Sequence, residues 1–276
     1  MKILFVCTGN TCRSPMAEGY VNSLKLKDVT AVSAGFGFSG DTVSQNSVLA
    51  MCEMGVDISE HRSRTVNPYL IDEAEKIVCM TTGHKQTLIA LGADPNKIEV
   101  LGVGDPFGCD ITVYRDCAKQ IVGAINQLLG IKPIEVTVAT QNDITDIAEI
   151  EKERFSDPWS ENSIRSAMNN NTVFFLAKKN GKTAGYVGLS VVADEGYITN
   201  IATKKEAEKQ GVATALLTKV CEYSVQKELA FFSLEVRKSN TPAIKLYKRF
   251  LMEQEGERKN FYVTPKEDAL IFTRRF

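Results

Sequence analysis

Short apolar runs alternate with longer amphipathic segments through the first half of this 276-residue chain. Ile3-Leu4-Phe5-Val6-Cys7 is too short for a helix and fits one buried strand; Val29 to Ser33, Lys76 to Met80 and Ile98 to Leu101 repeat that pattern. After Ser14-Pro15, residues Met16, Ala17, Tyr20, Val21 and Leu24 recur at helical spacing, with Glu18 in the first turn. Serine suits an N-cap, and proline suits the first helical position because its missing N–H would have no partner there. Two more helices are predicted. Ser47 to Met54 carries Val48, Leu49, Met51 and Cys52 as its apolar stripe; Tyr114 to Leu129 carries Ala118, Ile121, Val122, Ile125, Leu128 and Leu129. Strands alternating with helices predict a doubly wound parallel sheet. Ligands in such sheets lie beyond the carboxyl ends of the strands, and both Cys7 and Asp105 fall there.

Gly130-Ile131-Lys132-Pro133 stops the last of these helices, and the chain restarts as a strand. We therefore expect two domains, residues 1–131 and 135–276. Beyond the joint the pattern changes. Val136 to Ala139 reads as a strand, Asp143 to Phe155 as a helix, and Asp157-Pro158-Trp159-Ser160 as a break capping another helix. Val173 to Lys178, an Asn180-Gly181 turn, Thr183 to Val192 and Tyr197 to Thr203 make an antiparallel meander. A helix from Gln210-Gly211 through Tyr223, a strand from Phe231 to Val236 and a helix from Thr241 to Phe250 follow. The second domain is thus expected to be α/β with a mixed sheet.

Composition narrows the function. Net charge is −1 and 43% of residues are hydrophobic, so no global field calls for nucleic acid or an anionic membrane. Seven cysteines, an odd number at irregular spacing, do not make a secreted disulfide framework. The opening apolar run is too short for a signal sequence or a membrane span. A cytoplasmic, reducing compartment is expected.

The chemistry concentrates in Cys7-Thr8-Gly9-Asn10-Thr11-Cys12-Arg13-Ser14-Pro15. A strand, a tight loop and a helix N-terminus let successive backbone N–H groups converge on a tetrahedral anion. The same positive environment favours a thiolate at Cys7, and Arg13 can fork two N–H bonds onto phosphate oxygens. Ser14 can donate to the Cys7 sulfur, cap the helix, or do both; Asn10 braces the loop. No Gly-Lys-Ser/Thr follows, which excludes a nucleotide P-loop, and no second ligand pair supports a zinc site, so no metal is expected. Cys12 beside Cys7 fits a reversible disulfide or a second buried thiol. His61 reads as structural, and His84, in a polar stretch, is assigned no role.

This loop resembles the signature of the low-molecular-weight protein-tyrosine phosphatases, and Asp105-Pro106-Phe107-Gly108 matches that family's downstream aspartate loop. Ser33-Ala34-Gly35 and His61-Arg62-Ser63-Arg64 extend the resemblance over roughly the first half. It implies a flavodoxin-like fold, phosphorylated proteins as substrates, a cysteinyl-phosphate on Cys7 and Asp105 as acid and then base. Thr11 resembles the bacterial protein-arginine phosphatases, where tyrosine phosphatases carry a larger aliphatic residue; phosphoarginine is therefore favoured.

In the second half, Gln210-Gly211-Val212-Ala213 at a helix start offers unblocked N–H groups to a diphosphate. With Tyr197 to Ala202, Leu234-Glu235-Val236-Arg237-Lys238-Ser239-Asn240, Ala243 to Tyr247 and Glu267-Asp268-Ala269, the segment resembles the GNAT-superfamily ribosomal-protein-alanine N-acetyltransferases. The resemblance implies acetyl-CoA, held by Ile201, Ala202, Thr203, Gln210, Gly211, Val212, Ala213, Thr214 and Asn240, and a ribosomal protein N-terminus as acceptor. It assigns Glu235 as base and Tyr247 as acid. An α-amine, with a pKa of about 7.7–8.0 against about 10.4 for lysine, is the easier amine to deprotonate. Three positions depart from the family: Glu208 replaces Arg or Gln before the CoA loop, Lys205 a proline, and Leu251-Met252 a Gly-Phe. Lys204, Lys205 and Lys209 either compensate Glu208 or form a solvated face. Rival readings are a phosphotyrosine phosphatase joined to a lysine or small-amine acetyltransferase, a phosphate-sensing module, and an acetyltransferase half that no longer holds CoA.

Overall fold

Apolar residues at every position of a strand, rather than at alternate ones, mark a sheet covered on both faces. The strand β1 (Lys2–Cys7) has this form, with Ile3, Leu4, Phe5 and Val6 all fully buried. The computed structural model describes all residues, Met1–Phe276, and divides into two compact units, one of Met1–Cys52 and Val56–Ile131 and one of Glu53–Gly55 and Lys132–Phe276.

In the first unit, β1, β2 (Thr30–Gly35), β3 (Lys76–Cys79) and β4 (Ile98–Val100) form a four-stranded sheet in the order β2-β1-β3-β4, parallel throughout. Five helices accompany it: α1 (Arg13–Ser23), α2 (Gln45–Cys52), α3 (Pro68–Glu73), α4 (Thr82–Ala90) and α5 (Ile111–Leu129). Leu4, Val6, Ile77 and Cys79 pack with Ile71 and Leu88, which places α3 and α4 against one face. The strand order reverses around β1, so the crevice at the end of β1 is the topological switch point. Gly130 ends α5 in the left-handed region at φ 64°.

One expectation is corrected here. Helix α1 begins at Arg13, with Cys12 as its N-cap and no side-chain cap, so Ser14 is not the cap and Pro15 is not the first helical residue. Glu18 accordingly lies beyond the first turn. The Ser14 hydroxyl is engaged by the loop instead.

The second unit holds a seven-stranded mixed sheet: β5 (Glu135–Val138), β6 (Thr172–Lys179), β7 (Lys182–Val192), β8 (Glu195–Thr203), β9 (Phe231–Arg237), β10 (Glu253–Tyr262) and β11 (Glu267–Arg275), in the order β10-β11-β9-β8-β7-β6-β5. Helices α6 (Ile144–Arg154) and α7 (Glu161–Asn169) bury Ile147, Ile150 and Ile164 against Phe174, Leu176 and Tyr186 on one face. Helices α8 (Val212–Gln226) and α9 (Thr241–Arg249) bury Leu216, Leu217, Val220 and Tyr247 against Phe175, Val187 and Leu234 on the other. Phe174 and Phe175 pointing to opposite faces is the period-two alternation of a central strand.

All pairs are antiparallel except β8 with β9, which run parallel and meet only at Glu195–Phe231, Gly196–Phe232 and Tyr197–Ser233. Past that point Ile198 to Thr203 pair only with β7, and Leu234 to Arg237 only with β11. The two strands part like a wedge in the middle of the sheet.

Candidate active sites

The first site is built where β1 runs out. Cys7 is 2% exposed, and its sulfur lies 3.0 Å from the Ser14 hydroxyl and receives the Asn10 backbone N–H at 3.3 Å. Asn10 is fully buried and sits at φ 54°, a left-handed conformation that asparagine tolerates better than most residues. Its Nδ2 donates to Ser14 Oγ and to Ser33 Oγ, each at 2.8 Å, and its Oδ1 accepts the Arg64 N–H at 2.8 Å. Ser33 in turn donates to Glu18 at 2.5 Å, and His61 lies 3.2 Å from Asn10 Oδ1 and 3.4 Å from Glu18. Three buried or half-buried side chains, Ser14, Ser33 and His61, thus hold one loop residue, and Glu18 braces two of them. Burial is the largest influence on His61 and pulls its pKa below the ordinary value.

Arg13, at 3% exposure, donates to the Val103 carbonyl at 3.2 Å and pairs with Asp105; its Nε is buried without a partner. Asp105 is half-exposed and accepts the Phe107 N–H at 3.3 Å. The structure therefore brings the loop of Thr8, Gly9, Asn10, Thr11 and Cys12 together with Cys7, Arg13, Ser14 and Asp105 on one rim. Cys12 is buried, 3.5 Å from the Tyr114 hydroxyl and 3.8 Å from Thr11 Oγ1. Burial pushes Tyr114 up to about 12.

His84, to which sequence reasoning assigned nothing, also belongs to this rim. Its Nε2 lies 3.0 Å from Thr8 Oγ1, its ring 5.7 Å from Phe36, and its Nδ1 is buried without a partner. Burial, then Arg13, lower its pKa, while Asp105 opposes them. The available signal was topological: His84 follows the end of β3, beside the end of β1.

In the second unit Glu235, on β9, points away from the face that buries Leu234 and Val236, and Arg258 of β10 pairs with it at 3.2 Å. Tyr247 packs on that other face, its ring 6.1 Å from Phe272. Burial pushes its phenol well above the usual tyrosine value. No hydrogen bond joins Glu235 to Tyr247, so the two do not form a direct pair.

The wedge between β8 and β9 leaves Ile201, Ala202 and Thr203 without partners on the β9 side. At the start of α8 the N-cap is Gly211 at φ 88°, with no side-chain cap, and Lys209 is also left-handed at φ 58°. Uncapped N–H groups after alternating left-handed residues fit an anionic group such as a diphosphate. The Gln210 side chain is occupied, accepting from Lys179 at 2.7 Å and donating to the Glu206 carbonyl at 2.7 Å, which leaves its backbone N–H for a ligand. Asn240 uses Oδ1 to cap α9, accepting from Ala243 at 3.3 Å. Of the two readings left open for Lys204, Lys205 and Lys209, an ion pair with Glu208 is not seen: Arg154, at the end of α6, takes Glu208 at 2.7 Å.

Sequence reasoning also missed Glu151, fully buried on α6 and held by Tyr186, by Asn200 Nδ2 at 2.7 Å and by the Trp159 N–H at 2.7 Å. A carboxylate inside a run of apolar helix positions was its only signal.

Comparison with known proteins assigns the two parts of the chain to different families. The sequence profile described as "Low molecular weight phosphotyrosine protein phosphatase" matches residues 2–142, and that described as "Acetyltransferase (GNAT) family" matches residues 143–251. A protein-arginine-phosphatase of Geobacillus stearothermophilus is 36% identical over 138 residues, covering 46% of this chain and 93% of that one. The ribosomal protein bS18-alanine N-acetyltransferase of Escherichia coli is 35% identical over 124 residues, covering 44% and 84%. A Bacillus subtilis protein to which that same name is provisionally given is 40% identical over 131 residues, covering 47% and 87%. The chain belongs, over its first unit, to the low molecular weight phosphotyrosine protein phosphatase family and, over its second, to the GNAT acetyltransferase family.

Proposed function

We propose that the chain is a bifunctional enzyme: a cysteine-dependent protein phosphatase that favours phosphoarginine, and an acetyl-CoA-dependent acetyltransferase of the N-terminal alanine of a ribosomal protein. The observation that carries the first activity is the Cys7 sulfur, buried and hydrogen-bonded by Ser14 and Asn10, with Arg13 and Asp105 on the same rim. In this reading Cys7 attacks phosphorus in line, so the sulfur–phosphorus bond forms as the bond to the leaving group breaks. Asp105 gives that leaving group its proton, then takes one from the water that hydrolyses the cysteinyl-phosphate. The Arg13 guanidinium, with one N–H unpartnered, and the loop amides carry the phosphoryl charge. Thr11 and the arginine-phosphatase relative support phosphoarginine over phosphotyrosine.

In the second unit the backbones of Ile201, Ala202 and Thr203 and of Gln210 to Thr214 would hold acetyl-CoA, with the Asn240 amide nitrogen as a further donor. When bound, acetyl-CoA supplies an activated acetyl group. Glu235 takes a proton from the substrate's α-ammonium, and Tyr247, kept protonated by burial, holds the proton that a departing thiolate needs. Arg258 keeps Glu235 paired until that ammonium arrives.

Hydrolysis of phosphoarginine and phosphotyrosine peptides, measured side by side, tests the first activity. Wild type should favour phosphoarginine, Cys7→Ser should be inactive on both, and Thr11→Ile should shift the ratio toward phosphotyrosine by about tenfold or more. An unchanged ratio removes the Thr11 argument; a wild-type preference for phosphotyrosine makes the chain a tyrosine phosphatase. Mass spectrometry of an alanine-terminated peptide incubated with acetyl-CoA tests the second. Glu235→Gln should slow acetylation about a hundredfold, and equal rates would remove Glu235 as base.

A further inference from the structure

An acid at the mouth of an anion-binding loop works against the ligand unless something neutralises it. Glu208 stands directly before the turn of Lys209, Gln210 and Gly211 that leads into α8, so a negative charge immediately precedes the uncapped amides in the chain. The end of α6 grips the segment before that turn at two points. Glu153 accepts the backbone N–H of Lys205 at 2.7 Å, and Arg154 pairs with Glu208 at 2.7 Å. Neither residue belongs to the loop, and Arg154 is only 29% exposed at its side chain against 44% for Glu208. The neighbouring lysines of the loop do not make this contact.

We propose that Arg154 is a positioning residue for the diphosphate of CoA: held against Glu208, it cancels that residue's negative charge ahead of the α8 amide cradle and fixes the loop to α6. This rests on the acetyl-CoA reading given above. It also explains how the chain carries glutamate before its cofactor loop: the compensating cation comes from a different helix. Without Arg154 the Glu208 charge would be left uncompensated ahead of the cradle and would repel a diphosphate there, a repulsion that counterions screen over about 10 Å at 0.1 M salt.

The test is calorimetric titration of CoA into the full-length chain and its Arg154→Gln, Glu208→Gln and doubly substituted variants, at low and at high salt. Arg154→Gln should weaken binding about three- to tenfold at low salt, and the deficit should shrink as salt rises. Glu208→Gln should bind at least as tightly as wild type, and adding Glu208→Gln to Arg154→Gln should restore wild-type affinity. A double variant as weak as Arg154→Gln would make the role of Arg154 structural rather than electrostatic and would overturn the proposal. So would an Arg154→Gln variant that binds like wild type. A wild-type chain that takes up no CoA would instead overturn the acetyl-CoA reading, and the proposal with it.

Discussion

Asn10 shows how much a single residue carries in the phosphatase unit. Its backbone N–H reaches the Cys7 sulfur, its amide supplies both hydrogens to Ser14 and Ser33, and its oxygen takes the Arg64 N–H. It does this at φ 54°, which a residue with an ordinary Cβ reaches only under strain. Two substitutions separate these contributions. Asn10→Ala loses the side-chain bonds and keeps the strain, and should cost the phosphatase unit about 2–4 kcal/mol, because the buried hydroxyls of Ser14 and Ser33 and the Arg64 N–H lose partners. Asn10→Gly loses the same bonds but relieves the backbone, and should be more stable than Asn10→Ala by about 1 kcal/mol. Hydrogen exchange at the amides of β1 and β2 measures both; equal protection in the two variants would show that the backbone conformation stores nothing.

Elements place these residues, and at this scale the parallel sheet does most for the site. Strand β2 ends at Gly35, where an added Cβ would come within 2.7 Å of the Thr8 carbonyl oxygen and 2.8 Å of the Asn10 nitrogen. Both are backbone atoms of the loop between Cys7 and Cys12, so the loop must give way. Gly35→Ala should lower phosphatase kcat/KM about a hundredfold, the loss expected from misplacing catalytic groups by about 1 Å, while acetyl transfer by the same chain persists. Near-normal hydrolysis would show that the loop adapts. The order β1, α1, β2 was legible because β1 is an unbroken apolar run that stops at the loop and Met16, Ala17 and Val21 follow at helical spacing, and Cys7 and Arg13 were legible because their roles come from spacing within one loop. The β10–β11 hairpin was not, since nearly every residue of Glu253–Tyr262 is exposed and no alternation marks it. Helices α3 and α4 escaped for a related reason: Ile71 and Leu88 are their only buried residues. The start of α1 was misplaced because Ser14, a good cap by type, has its hydroxyl against the Cys7 sulfur and accepting from the Asn10 amide. His84 near Thr8 and Arg154 on Glu208 are contacts between distant segments, which no local spacing encodes.

At the scale of the whole molecule the two units should respond differently to pH, and the histidines give the phosphatase unit its direction. The chain has two, His61 and His84, both in that unit and both lowered from 6.5, with burial as the first cause. His84 faces Arg13, which disfavours its protonation further, and Asp105, which favours it; His61 faces Glu18 on one side and Arg64 and Arg62 on the other. A histidine whose folded-state pKa is depressed binds protons more readily in the unfolded chain. Stability should therefore be level above about pH 7 and fall as pH drops through 6.5, the range in which the unfolded chain protonates first. The lowered carboxylates of this unit, Glu73 and Glu75, titrate below 4.5 and do not contribute to that window. The second unit has no histidine, and its buried Glu151 is raised by burial, so protonating that group favours the folded form. Calorimetry of the full chain between pH 7.5 and 5.5 should show the transition of the phosphatase unit moving down while that of the acetyltransferase unit holds (both limits set by the histidine range near 6.5). His84→Gln should flatten the first trend, because glutamine cannot take up the proton. A transition equally pH-dependent in that variant would assign the proton uptake to His61 alone.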